Sequence, residues 1–289
     1  MPENIINRTL EGKGDSVKIN GSLKIYGNVI KTEVFATGDI IIDGIVIDSK
    51  VLTNSGNITI SQGIEGENSI IEAFGDIFAD YCIGGIVESK NGSIYLNNRI
   101  NNAKVNARNL VHVYKGQGII EKAIVTAGIE VITNILGNEN KEKTSIILSN
   151  QRQQELFELI IVYENKLKEK KKKLEQLLKI IKIIRLLGEN VVNLSQEKKE
   201  QLAKQVKEYN IIKKEIEETN EEKKKVLKKN EEIKKYTRAI IVNEKVFPNV
   251  HITIDKLCQQ VTKTYEKVIF YKTGIIIMGD LDQFKLRQR

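Results

Sequence analysis

Gly38-Asp39-Ile40-Ile41-Ile42, Gly56-Asn57-Ile58-Thr59-Ile60 and Gly75-Asp76-Ile77-Phe78-Ala79 are three copies of one five-residue phrase, and they decide the fold. Further copies start at Gly21, Gly92 and Asn109, with a degenerate one at Ile129, in steps of 17, 18, 19, 17, 17 and 20 residues. An aliphatic-x-Ala segment precedes several of them: Val34–Ala36, Ile71–Ala73, Val105–Ala107 and Val125–Ala127. A period this short cannot hold two helices or a propeller blade. It suits one coil of a single-stranded β-solenoid (β-helix), whose short strands stack about 4.8 Å above those of the previous coil. Alternate aliphatic side chains then point inward and pile into ladders, while Gly, Asn and Asp take the corners. The degenerate copy and Gly137-Asn138 mark the expected end of the stack.

Working outward, the chain changes character twice. The stretch 149–238 is built almost wholly from Lys, Glu, Leu, Ile, Asn and Gln. Leu156, Ile160, Tyr163, Leu167, Lys170, Leu174, Leu177, Ile181 and Ile184 alternate in 4-3 spacing, a heptad seam. After the break at Gly188-Glu189-Asn190, Ser195 is placed to N-cap a second helix. Its seam runs through Tyr209, Ile212, Ile216, Thr219, Lys223, Val226, Asn230, Ile233 and Thr237. Two such helices joined by a short link predict an antiparallel coiled-coil hairpin, each arm roughly 55–60 Å long. Period-2 alternation returns at Ile240 and Val242, Val250 to Ile254, Val268 and Phe270, and Ile275 and Ile277. Turns are expected at Pro248-Asn249 and Lys272-Thr273-Gly274. The fold class is thus mainly β with a long α-helical insertion. Its expected division is a solenoid over 1–148, a hairpin over 149–238, and C-terminal strands over 239–289 packing back near the solenoid end.

Composition narrows the function. Of 289 residues 40% are hydrophobic, enough for a real core, which argues against wholesale disorder. No segment nears the roughly 20 apolar residues that span a bilayer, and the start shows no apolar stretch of signal-peptide length. Two cysteines, Cys82 and Cys258, make neither a disulfide framework nor a tetrahedral zinc site and are expected as buried thiols. With no Trp and two His, the usual catalytic side chains are scarce. A soluble protein of a reducing compartment, without cofactor, metal or catalytic residues, is expected.

The order of these segments resembles the flagellar assembly protein A (FapA) family. The residues that carry the resemblance are Ala36-Thr37-Gly38-Asp39-Ile40 and Ala73-Phe74-Gly75-Asp76-Ile77 for the coils, and Ala127-Gly128 and Leu136-Gly137 for the closing coil. Val246-Phe247-Pro248-Asn249-Val250 follows the helices, with Phe247 and Asn249 where the family has Tyr and Gly. The resemblance spans about residues 14–280, with little chain before it for the N-terminal domain that members usually carry. It implies a bacterial, cytoplasmic, non-enzymatic scaffold in flagellar assembly or its regulation, and names no site.

The residues offer other chemistry. Val34, Ile40, Val46, Leu52, Ile58, Ile64 and Ile70 recur every six residues, as in β-helix acyltransferases, which use a His base between coils. His112, the one histidine of the solenoid, falls on outward parity and is expected exposed, with no acidic partner nearby in sequence. Asp39 and Asp76 are read as turn caps rather than Ca²⁺ ligands, because the equivalent corners offer Ser22, Asn57, Ser93 and Leu110. Gly116-Gln117-Gly118 is a turn without the strand–helix context of a nucleotide loop, and His251 has no Cys or His at metal-ligand spacing. The formal charge of +8 equals the net of 24 basic and 16 acidic residues within 150–238. Lys170–Lys173, Lys223–Lys225 and Lys228–Lys229 open a second reading, binding to nucleic acid or an anionic membrane surface. Interleaved Glu makes a solvated helical face the ordinary reading of such runs. Protein partners, including flagellar or polar-positioning components, are the favoured class, with self-association through the solenoid end or the coiled coil. The candidate contacts are an apolar cluster at the hairpin tip, Leu186, Leu187, Val191, Val192 and Leu194, and the open solenoid end near Lys13–Gly27.

Overall fold

A computed structural model describes residues 4–149, 151–187, 195–234 and 238–287. The chain divides into two compact units, Met1–Asn150 with Tyr236–Arg289, and Gln151–Lys235.

The first unit is a β-solenoid with three strand-bearing sides. A representative coil runs Ile40–Ile42, Val46–Ile47 and Lys50–Thr53. It lies in parallel register on the coil below, with Leu23 beside Ile40, Val29 beside Val46 and Val34 beside Val51. On the first side the inward ladder continues from Ile40 through Ile58, Ile77, Ile94, Val111 and Val131 to Ile240. All of these are fully buried. Each such side chain is worth about 1.5–3 kcal/mol over leaving it exposed. One coil alone has no second layer to bury it against, so stability is shared between neighbours.

Both ends of the stack differ from the sequence reading. Among the described residues, eight coils precede the helices, not seven. The extra one is formed by Asn4–Ile6, Leu10–Glu11 and Val17–Ile19, which pair with Leu23–Ile25, Val29–Ile30 and Val34–Ala36. The strand at Leu23 is therefore covered, and the unpaired edge belongs to this first coil. Nor does the stack stop at Gly137-Asn138. Thr144–Leu148 adds a further strand on Ile124–Ala127. After the helices, Ala239–Val246 and Val250–Ile254 lie parallel on Glu130–Leu136 and Thr144–Leu148 as a ninth coil. Only then does pairing turn antiparallel, through Leu257–Gln260, Tyr265–Lys272 and Ile276–Asp280. Ile275 lies in the turn before the last strand and is largely exposed.

Local chemistry explains the corners. One column of left-handed residues, one per coil, runs Gly12, Lys31, Asp48, Gly66, Gly84, Asn102 and Lys122. Lys31 and Lys122 hold φ of 48° and 50°, a conformation costing L-residues about 1–2 kcal/mol, which the stacked hydrogen bonds offset. The six-residue pattern holds only locally. Val34, Ile40 and Val46 point inward, but Leu52 is half-buried and Ile70 exposed, while Val51 and Ile71 are the buried residues. Coils of uneven length slip out of a strict hexapeptide phase.

The second unit is a pair of helices, α1 (Gln151–Leu187) and α2 (Gln196–Lys234). They run antiparallel: Glu164 pairs with Lys223, Lys170 with Glu215 and Lys173 with Glu208. Every described seam position is buried or half-buried, from Leu156 to Ile181 and from Tyr209 to Ile233, and most flanking residues are exposed. Ile184 and Thr237 lie outside the described side chains. α2 starts directly after Ser195.

The solenoid's core is one continuous cluster from Leu10 to Phe270. Replacing 150–238 by a short Gly/Ser linker is therefore expected to leave a strand-type circular dichroism spectrum and cooperative unfolding. A molten, aggregating product would mean that the coils need the helices.

Candidate functional site

The repeat phrase sorts its own residues by parity. Third and fifth positions are inward, so the fourth forms an outward column on the first side: Lys24, Ile41, Thr59, Phe78, Tyr95, His112 and Ile132. Phe78 and Tyr95 stack at 5.1 Å, and His112 meets Tyr95 and Tyr114 edge-on, each at 5.6 Å. His112 does face outward, but it is neither exposed nor unpartnered. Its Nε2 lies 3.0 Å from Glu130 Oε1, and both side chains are 14% exposed. The acid comes from the next coil, 18 residues on, where register rather than sequence proximity supplies it. A ring held between two tyrosines and a carboxylate has a structural position on a strand face.

Corner side chains form a second ordered set. The backbone N–H of Asp39 donates to Ser22 Oγ at 3.0 Å. Asn57 N–H then donates to Asp39 Oδ1, Asp76 N–H to Asn57 Oδ1, and Ser93 N–H to Asp76 Oδ1, each at 2.7 Å. Asp39 and Asp76 thus cap the next coil, and Ser22 and Asn57 do the same work. Gly116-Gln117-Gly118 lies at another corner, with Gln117 N–H donating to Asn98 Oδ1.

The two cysteines part company. Cys82 is buried, and burial pushes its thiol up to about 12. Cys258 is exposed, against expectation. It sits at an outward position on Leu257–Gln260, an edge strand that among the described residues pairs only with Val250–Ile254. His251 is half-buried, its Nε2 3.3 Å from Asn249 Oδ1.

On the helices, Leu186 is 87% exposed, and Ile183 is also exposed. The side chain of Leu187, together with Val191, Val192 and Leu194, lies outside the described residues. Lysines of the basic runs are partly engaged: Lys170, Lys173 and Lys223 bridge the two helices to Glu215, Glu208 and Glu164.

A family model described as the Flagellar Assembly Protein A beta solenoid domain matches residues 15–276. The chain belongs to the FapA family. The match embraces coils, helices and most of the tail, so the helices are an insertion within the FapA domain rather than an appendage to it. Membership connects the chain with flagellar assembly, in a family of assembly proteins rather than enzymes. No curated protein and no solved structure matches. No described helix is long and apolar enough to cross a membrane.

Sequence reading passed over the outward column of this FapA solenoid. Its signal was available in the fourth position of each repeat, where Phe78, Tyr95 and His112 follow one another.

Proposed function

We propose that this protein is a non-enzymatic scaffold in flagellar assembly or its regulation. It acts in the bacterial cytoplasm by presenting fixed surfaces to protein partners. The family match over residues 15–276 carries this reading. A core packed throughout with aliphatic side chains supports it, since outward positions are then held at fixed spacing. The alternative, attraction to nucleic acid or an anionic membrane surface, draws on the +8 charge. Cross-helix ion pairs engage part of that basic surface, which favours the scaffold.

The hairpin tip is the proposed contact, because Leu186 presents an almost fully exposed aliphatic side chain there. The test is affinity isolation from native cells, comparing the wild-type chain with a Leu186→Ser, Leu187→Ser, Val191→Ser variant. Flagellar or polar-positioning proteins should come down with the wild type and fall at least tenfold with the variant. The melt should shift by less than about 0.5 kcal/mol, as for surface positions. Lost stability with partners retained would make the cluster a closing core. Nucleic acid as the sole recovered species would favour the alternative.

A further inference from the structure

We infer that the outward column of the first side, from Ile41 to Ile132, is a docking strip for a basic amphipathic helix of a partner protein. The inference rests on the scaffold reading but uses a surface separate from the hairpin tip.

Three observations converge on that occupant. The first is apolar character where a solvated sheet face should be polar. Ile41, Phe78, Tyr95 and Ile132 stand outward in consecutive or near-consecutive coils, with Phe78 39% exposed and Phe74, in the corner before the same strand, also exposed. A row of this kind, rather than scattered single residues, marks a binding surface.

The second is how the chain treats the same column at its other end. Beyond Ile132 the register continues to Ile241 and Ile269. There a helix, α3 (Leu281–Arg287), covers it. Ile269 and Leu281 are buried together with Ala239, and Ile241, Tyr271 and Phe284 pack around them. Anchors three residues apart, Leu281 and Phe284, fill the strip. The molecule therefore shows in its own C-terminal coils that a short amphipathic helix fits this face.

The third is charge. The four coil segments that carry Ile41, Thr59, Phe78 and Tyr95 are residues 37–45, 55–63, 74–81 and 91–98. They contain Asp39, Asp43, Asp76 and Asp80 and no Lys or Arg, in a chain whose formal charge is +8. Asp39, Asp76 and Asp80 accept hydrogen bonds from neutral amides, which leave their charge in place. Asp43 has the Lys24 ammonium at 3.2 Å. Over these four coils the strip is thus an apolar row between acidic borders, the complement of a helix with an apolar stripe and basic flanks, while the last two coils add Glu130 against Arg108 and Lys115. Ile41 to Ile132 spans five coil steps, about 24 Å at 4.8 Å each. A helix of roughly 16 residues would cover it.

The test uses the full chain and two labelled synthetic 16-residue peptides, with Leu at i, i+3, i+4 and i+7 spacing. One has Lys at the flanking positions and the other Glu. Fluorescence anisotropy should show the Lys peptide binding at least tenfold more tightly than the Glu peptide. Non-specific attraction would run the other way, because the chain is net positive. A Phe78→Ser, Tyr95→Ser variant should lose at least tenfold in affinity for the Lys peptide with an unchanged circular dichroism spectrum. Equal affinity for both peptides, or binding that ignores the double substitution, overturns the proposal. So does a concentration-dependent dimer in sedimentation that the double variant abolishes, since a second copy would then be the occupant. Because the hairpin tip is untouched, failure here leaves the tip experiment to be judged separately.

Discussion

Ile40→Asp should destabilise the solenoid by about 4 kcal/mol or more. Ile40 is fully buried and stacks between Leu23 and Ile58 on the inward ladder. The substitution removes an aliphatic side chain from a close-packed column, a loss of roughly 2–5 kcal/mol by itself. It also places a carboxylate where every neighbour is apolar. Burial would raise the folded-state pKa of that carboxyl above its unfolded value. The native state then holds its proton more tightly, so the deficit should be smaller near pH 4 than at pH 8. Ile41→Asp is the control, one residue away on outward parity, and should cost less than about 1 kcal/mol. Guanidinium unfolding of the two variants decides the matter. Equal losses would mean that the strand has no fixed inner face.

That pair of neighbours also shows what was legible. Parity at Ile40 and Ile42, and the heptad seam from Leu156 to Ile233, could be read because burial imposes a period on residue type. The first coil was not legible. Asn4–Ile6 carries no Gly-Asp phrase, and its second side contributes just one inward residue, Leu10. Pairing that depends on register was hidden too. Nothing near His112 in sequence points to Glu130, and nothing in Lys31 or Lys122 announces a left-handed corner. Cys258 was misread because an aliphatic-rich tail suggests burial, whereas an edge strand leaves one face open. As for the proposed tip, Leu186 is exposed, while Leu187, Val191, Val192 and Leu194 remain a matter for the isolation experiment.

Gly56→Ala should cost about 3 kcal/mol, near the top of the usual range for forcing extra atoms into a packed site. A Cβ on Gly56 would stand 2.3 Å from the carbonyl carbon of Gly38 and 2.4 Å from Asp39 N. Both belong to the backbone of the coil below, which cannot swing aside as a side chain would. Relief requires the coils to part locally by about an ångström, against a strand spacing of about 4.8 Å. Opening them stretches the bond from Asn57 N–H to Asp39 Oδ1 and the bond from Ile40 N–H to Asn57 O. Because the stack is quasi-one-dimensional, the strain falls on the two coils that meet there rather than spreading through the unit. Gly14→Ala is the control: nothing lies within 4 Å of its Cβ and its φ is not positive. It should stay within about 0.5 kcal/mol. Denaturant unfolding distinguishes the outcomes, and a cost below about 1 kcal/mol at Gly56 would show that the spacing between coils is elastic. The point reaches function through the outward column. Ile41 and Thr59 lie one coil apart directly beside this corner, so a surface built from them keeps its spacing only if glycine lets the coils close.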